Sequence, residues 1–287
     1  MVSMRFLAVD WGTTNRRVFL IEDGAVIATE RDEKGAAAVP AEAYDAEVAG
    51  IRKRFGDLSM LLAGMVGSTI GWRNVPYVPA PAGLPALAAA LDWVDPRTAI
   101  VPGLSFRDGT RADVMRGEEV QLLGAAASGS VPADALLCQP GTHCKWARLE
   151  AGAVTEFTTA MTGELFAMLR QHSLLRHQLG GEVRPGPAFL AGVAEGARRD
   201  LAASLFAIRA RAVLGMGEDA ASFASGLLIG ADAAARIAPG EAVHILADPG
   251  LGGLYASAVD ALGGSGHLVD SHASFVAGIT RLWELAL

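Results

Sequence analysis

Two short turns, Gly12-Thr13-Thr14-Asn15 and Gly141-Thr142-His143, each sit between apolar, strand-like runs. Glycine lets a ligand approach the backbone closely, and each turn offers N–H groups and hydroxyls to an anion. Singly, each is an ordinary turn; as a pair they can hold a polyphosphate from two sides. Asp10 stands immediately before the first turn, where a carboxylate can hold Mg²⁺, directly or through water, beside a transferring phosphoryl group. Lys145 follows the second turn and can neutralise phosphate charge, or serve only as a solvated strand tip. A third segment, Ala247-Asp248-Pro249-Gly250-Leu251-Gly252-Gly253, joins a strand to a helix. Its backbone at Gly250, Gly252 and Gly253 suits an adenosine lying flat, and equally suits plain packing.

The elements that must position these residues follow from periodicity. Strands are expected at 5–10, 16–22 and 25–31, with Asp23-Gly24 as a hairpin turn, then a helix at 41–55 and a strand at 58–63. A Gly- and Pro-rich loop at 64–85, a short helix at 85–93 and a strand at 98–101 come next. Asp113 is expected at the N-cap of a helix running to about 128. The opening pattern then recurs at 135–158: Gly12-Thr13 maps on Gly141-Thr142 at an offset of 129, and Gly24-Ala25-Val26 on Gly152-Ala153-Val154 at 128. Helices at 163–179, 187–210 and 218–237, a strand at 242–247, a helix at 251–262, a strand at 267–270 and a final helix complete an α/β chain.

Composition narrows the classes of function. Of 287 residues, 51% are hydrophobic and 19% charged, enough apolar material for a filled core. The net charge of −7 offers no basic field for a phosphate polymer, which excludes nucleic acid as the expected partner. No apolar run is long enough for a bilayer, and the first residues reach Asp10 too soon for a signal peptide, so no membrane partner is expected. Cys138 and Cys144 are too few for a disulfide framework or a zinc site, and buried thiols in a reducing cytoplasm are expected. The histidines lack ligand spacing, and neither a Walker loop nor a G-x-G-x-x-G after the first strand occurs, which removes the common NTPase and dinucleotide folds.

Several segments together resemble the 2-dehydro-3-deoxygalactonokinase family: Asp10-Trp11-Gly12-Thr13-Thr14-Asn15, Gly64-Met65-Val66-Gly67-Ser68, Gly71-Trp72, Pro76-Tyr77-Val78-Pro79, Asp113-Val114-Met115-Arg116-Gly117-Glu118-Glu119, Pro140-Gly141-Thr142-His143-Cys144-Lys145-Trp146, Met161-Thr162-Gly163-Glu164-Leu165-Phe166 and Ser225-Gly226-Leu227-Leu228-Ile229-Gly230. The likeness spans nearly the whole chain. It implies two duplicated ribonuclease-H-like domains of the actin-like ATPase fold with an interdomain cleft. Residues 1–130 would carry sugar-acid binding and the catalytic Asp, and residues 131–287 would bind nucleotide. It further implies that, with ATP and Mg²⁺, the γ-phosphoryl group goes to the C6 hydroxyl of 2-dehydro-3-deoxy-D-galactonate, a small-molecule sugar acid.

By position, the resemblance places Gly12, Thr13, Thr14 and Asn15 in the first phosphate segment, Gly141, Thr142, His143 and Lys145 in the second, and Gly250, Gly252 and Gly253 in the adenosine segment. Asp113 falls at the catalytic carboxylate of related sugar kinases, where a carboxylate can orient a primary alcohol and accept its proton late. The competing reading is the helix cap. Ser68 and Trp72 are expected to touch substrate, and Arg16, Arg73, Arg107 and Arg116 are the candidates for its carboxylate, with Arg16 and Arg116 preferred. Thr69-Ile70 departs from the polar pair expected in this family. Two rivals stand beside this reading: a kinase of another 2-keto-3-deoxy sugar acid, and a non-kinase, actin-like nucleotide sensor. A homo-oligomer is compatible with either.

Overall fold

The computed structural model describes residues 4–287. The expectation of no leader falls partly on Met1, Val2 and Ser3, outside the described residues. In chain order the elements are β1 (Arg5–Trp11), β2 (Arg16–Glu22), β3 (Ala25–Asp32), α1 (Tyr44–Phe55), β4 (Met60–Gly64), β5 (Val78–Pro79), α2 (Leu84–Ala89), β6 (Asp92–Asp95), β7 (Thr98–Ile100), β8 (Leu104–Asp108), β9 (Arg111–Met115) and α3 (Glu118–Ala127). Then come β10 (Ala135–Gln139), β11 (Cys144–Glu150), β12 (Ala153–Ala160), α4 (Thr162–His172), α5 (Pro187–Gly196), α6 (Leu201–Val213), α7 (Ala220–Ala234), β13 (Ala242–Leu246), α8 (Pro249–Ala261), β14 (Ser265–Val269) and α9 (Ser271–Ala286).

The repeat seen in the sequence is repeated in topology. One sheet runs β3-β2-β1-β4-β7-β6 and another β12-β11-β10-β13-β14. In each, the first strand of the repeat has a later strand parallel beside it, β4 next to β1 and β13 next to β10. The hairpin turns match as well: Asp23 and Gly24 have φ of 49° and 79°, Ala151 and Gly152 have 49° and 76°. Two successive left-handed residues suit the right-handed twist of a tight hairpin. The fold is the duplicated ribonuclease-H-like α/β architecture of the actin-like ATPases.

The chain divides into two compact units: Met1–Asp134 with Leu149–Phe157 and Ser271–Leu287, and Ala135–Arg148 with Thr158–Asp270. In the first, β1 is buried on both faces, so it reads as a continuous apolar run rather than an alternation. Leu7, Val9 and Trp11 pack with Tyr44, Val48 and Ile51 of α1. On the other face Phe6 stacks on Trp283 of α9, and Phe19 packs tilted against Phe275. In the second, Leu136, Cys138, Cys144 and Trp146 pack with Phe189 and Val193 of α5, Ile229 of α7 and Tyr255 of α8.

Four expected elements need correction. Asp113 is not a helix cap: Asp108-Gly109 turns the chain back, Gly109 at φ +56°, and Asp113 lies within β9, opposite Phe106 of β8. Helix α3 begins only at Glu118, with Gly117 at its N-cap. The helix expected at 187–210 is two, because Arg199 turns left-handed (φ +61°) and Asp200 caps a new start through Ala203 N–H. The helix expected at 163–179 ends at His172. The one expected at 85–93 ends at Ala89, after which Asp92–Asp95 pairs as a strand with β7.

Candidate functional site

The first turn is held from behind. Gly12 N–H donates to Asn15 O at 2.9 Å, while the carbonyls of Gly12, Thr13 and Thr14 accept from Ala36, Ala37 and Gly35 at 2.9, 3.0 and 3.0 Å. Gly35 must lack a side chain, since a Cβ there would stand 2.3 Å from Thr13 O. With the carbonyls taken, the exposed Thr13 and Thr14 N–H groups donate to no other group among the described residues. Consecutive N–H groups without partners are able to receive an anion.

The second turn is backed in the same way, by the start of α4. Glu164 N–H donates to Thr142 O at 2.9 Å, and a Cβ on Gly163 would stand 2.3 Å from Gly141 O. This explains the Met161-Thr162-Gly163-Glu164 motif: the helix must approach the turn backbone to backbone. His143 Nε2 lies 2.6 Å from the Glu164 carboxylate. Lys145 is buried, not a solvated tip, and its Nζ donates to Thr159 Oγ1 at 2.8 Å. Cys138 and Cys144 are free, buried thiols with sulfurs 3.5 Å apart. Burial pushes the Cys138 thiol well above its usual pKa, so it stays protonated.

Asp10 projects from the β1 face that also carries Phe6 and Ala8, opposite Arg17 in the β1–β2 ladder. Burial raises its pKa from 3.8 to about 6, the charge of Glu118 adds to this, and Arg17 opposes it. Arg17 in turn contacts the His272 ring on α9. A close backbone stack fixes the surroundings: a Cβ on Gly64 would stand 2.7 Å from Trp11 O, and one on Gly117 would stand 3.1 Å from Gly64 Cα. The end of β1, the end of β4 and the start of α3 therefore meet beside Asp10. Buried Glu119 accepts from Gly117 N–H through both oxygens, at 2.9 and 2.7 Å, and burial raises its pKa to about 8.

Magnesium fits this donor set. Asp10 is a desolvated carboxylate with a second carboxylate, Glu118, acting on it, and a divalent cation would offset both. Among the described residues no group of three or more His, Cys, Asp or Glu could hold a metal. At the equivalent offset in the second repeat stands Gln139, an amide, so the repeat supplies a carboxylate from its first copy only.

The sugar-acid candidates differ in their surroundings. Arg16 is 1% exposed, bridges Asp32 at 2.5 Å and Glu47 at 2.9 Å, and lies 4.8 Å over the Trp11 ring. Its charge is matched within the fold. Arg73 pairs with Asp92 at 3.6 Å. Arg116 is buried against Tyr77, its guanidinium 4.3 Å from the ring, and Nη2 donates to Val75 O at 2.6 Å. Its Nε and Nη1 have no hydrogen-bond partner. Ser68 Oγ donates to Met65 O at 2.7 Å within its own turn, and Trp72 stacks on Tyr44 at 5.8 Å. Gly250, Gly252 and Gly253 lie in the first five residues of α8, where Asp248 caps the N–H groups of Gly250 and Leu251.

Arg16→Ala should therefore cost stability, about 2–4 kcal/mol, by leaving Asp32 and Glu47 without their shared cation. A lowered melting temperature with an unchanged KM for sugar acid is the expected pattern. A raised KM at parental stability would make Arg16 a substrate contact.

Residues overlooked in the sequence are Arg17, Glu118, Glu164 and Asp232. Glu118 and Glu164 fall within the motifs that carry the family resemblance, which was a signal for both, whereas Arg17 and Asp232 lie outside them.

The fold is that of the actin-like ATPase class, and each of its two repeats carries a Gly-Thr turn backed by neighbouring backbone. The sequence profile described as 2-keto-3-deoxy-galactonokinase matches residues 10–282, and the chain belongs to that family. A relative from Escherichia coli K12 named 2-dehydro-3-deoxygalactonokinase is 34% identical over 289 residues, covering 98% of each chain. A solved structure from Sinorhizobium meliloti, provisionally designated a 2-dehydro-3-deoxygalactonokinase, superposes with a TM-score of 0.86 at 34% identity, covering 96% of this chain and 97% of that one. Component A of (R)-2-hydroxyglutaryl-CoA dehydratase from Acidaminococcus fermentans shares the fold, with TM-score 0.53, 14% identity, and 99% and 100% coverage. No helix among the described residues is long and apolar enough to cross a membrane.

Proposed function

We propose that this chain transfers the γ-phosphoryl group of ATP to the C6 hydroxyl of 2-dehydro-3-deoxy-D-galactonate, a step of D-galactonate breakdown in the cytoplasm. The observation that carries the reading is the pair of equivalent turns, each with its carbonyls or backbone covered by a neighbouring segment and its threonine exposed. The N–H groups of Thr13, Thr14 and Asn15, and those of Gly141, Thr142 and His143, hold the triphosphate, and Gly250, Gly252 and Gly253 take the adenosine. Asp10 would hold Mg²⁺, which when bound would neutralise charge on the phosphate oxygens.

The substrate hydroxyl oxygen attacks the γ-phosphorus, the bond to the β,γ-bridging oxygen breaks, and ADP leaves. Asp113 orients the hydroxyl and accepts its proton late in the displacement. Trp72 forms an apolar wall for the deoxy carbon, beside the Ser68 turn. Arg116 is the better placed of the two preferred arginines for the carboxylate, because two of its nitrogens lack hydrogen-bond partners against one of Arg16, whose charge is already bridged to Asp32 and Glu47. Arg116→Met should raise KM for sugar acid at least about tenfold, with KM for ATP little changed. Residues 1–130 would supply the sugar-acid contacts and Asp113, and residues 131–287 most nucleotide contacts.

ADP release measured against hexonates, 2-keto-3-deoxy acids and neutral sugars, with and without Mg²⁺, tests this reading. Turnover confined to keto-deoxy acids and dependent on Mg²⁺ is expected. Turnover on neutral sugars alone would reject the substrate class.

A further inference from the structure

We propose that Asp232, on α7, is a positioning residue that sets the second Gly-Thr turn for the nucleotide, which rests on the reading of Gly141-Thr142 as a phosphate turn. Asp232 is 7% exposed and lies outside every motif assigned above. Its Oδ2 accepts from Trp146 Nε1 at 3.1 Å and from Thr162 Oγ1 at 2.9 Å, and Oδ1 faces Arg236 Nη1 at 2.7 Å. Trp146 lies on β11, the strand leaving the turn. Thr162 is the first residue of α4, the helix that covers the turn through Gly163 and Glu164. One carboxylate thus ties the strand behind the turn to the helix above it.

Helix α7 is itself held fast. A Cβ on Gly226 or Gly230 would stand 2.0 or 2.5 Å from the Phe189 or Val193 carbonyl oxygen of α5. One on Gly192 or Gly196 of α5 would stand 2.0 or 2.1 Å from the Phe223 or Leu227 carbonyl oxygen. The Ser225-Gly226-Leu227-Leu228-Ile229-Gly230 motif is the glycine face of that crossing, and it ends two residues before Asp232. The buried carboxylate is presented from a rigid element, and its hydrogen bonds are charge-assisted.

Steady-state kinetics of Asp232→Ala and Asp232→Asn, varying ATP and sugar acid separately, test the role beside Gly141→Ala, whose Cβ meets only His143 O at 3.6 Å within the fold and obstructs close approach of a phosphate to the turn backbone. A rise in KM for ATP of about tenfold is expected in Asp232→Ala, with KM for sugar acid within about twofold and a smaller rise in Asp232→Asn, which keeps one acceptor oxygen. A merely structural role would lower the active fraction and leave both KM values unmoved. Should Gly141→Ala raise KM for ATP while Asp232→Asn and Asp232→Ala leave it parental, the positioning role is overturned and the turn assignment stands. Should none of the three raise it, the turn assignment fails and the inference fails with it. If Asp232→Ala does not fold, a parental KM for ATP in Asp232→Asn overturns the role alone.

Discussion

Asp113→Ala should fold and bind ATP as the parent does, yet lose phosphoryl transfer by about 10²–10⁴-fold in kcat, the range set by removing a positioned proton acceptor. The structure sharpens this expectation. Asp113 lies in β9, so its loss removes no helix cap, and α3 keeps its own start at Gly117, braced by Glu119. Substitution at a half-buried strand position away from the core should move the melting temperature little. The checks are thermal unfolding, calorimetric ATP binding and ADP release on one preparation. A kcat near the parental value would take Asp113 out of the mechanism, leaving Glu118, which acts electrostatically on Asp10, as the next carboxylate to test.

Asp10→Asn should do two opposite things: abolish Mg²⁺-dependent turnover, by about 10³-fold or more, and make the ligand-free protein more stable. The second effect follows from linkage. The pKa of Asp10 is raised on folding from 3.8 to about 6, so the folded state holds its proton more tightly than the unfolded one. Stability conferred by that proton is present below about pH 4, falls as pH rises towards 6, and is absent above it. The variant escapes this loss, and at pH 7.5 should exceed the parent by up to about 3 kcal/mol, while at pH 4 the two should match. Thermal unfolding at the two pH values decides the point. Equal stability at pH 7.5 would show that Asp10 carries no unmet charge, and the case for a cation there would weaken.

The duplication was legible because hairpin chemistry is local. Asp23-Gly24 and Ala151-Gly152 adopt the same left-handed pair, and the Gly12 and Gly141 turns fall at matching places in the two sheets. The surroundings of those turns were not legible. Nothing near Gly35 in the chain says that its backbone must lie against Thr13, and nothing in Thr162 says that its hydroxyl meets Asp232, 70 residues away. The Asp113 error had a related cause. A carboxylate before a helical run reads as a cap, but the preceding Asp108-Gly109 turn makes the segment a hairpin that extends to Met115. Arg16 and Arg116 look alike as sequence. Only their neighbours, two carboxylates for one and a carbonyl with an aromatic face for the other, separate a matched charge from one with unused donors.

A crystal structure with a non-hydrolysable ATP analogue and Mg²⁺ is the most direct test of the paired-turn assignment. Phosphate oxygens are expected within about 3.2 Å of the Thr13 or Thr14 N–H groups and of the Gly141-Thr142 backbone, with the metal on the Asp10 side. An analogue bound with its phosphates touching neither turn would contradict it.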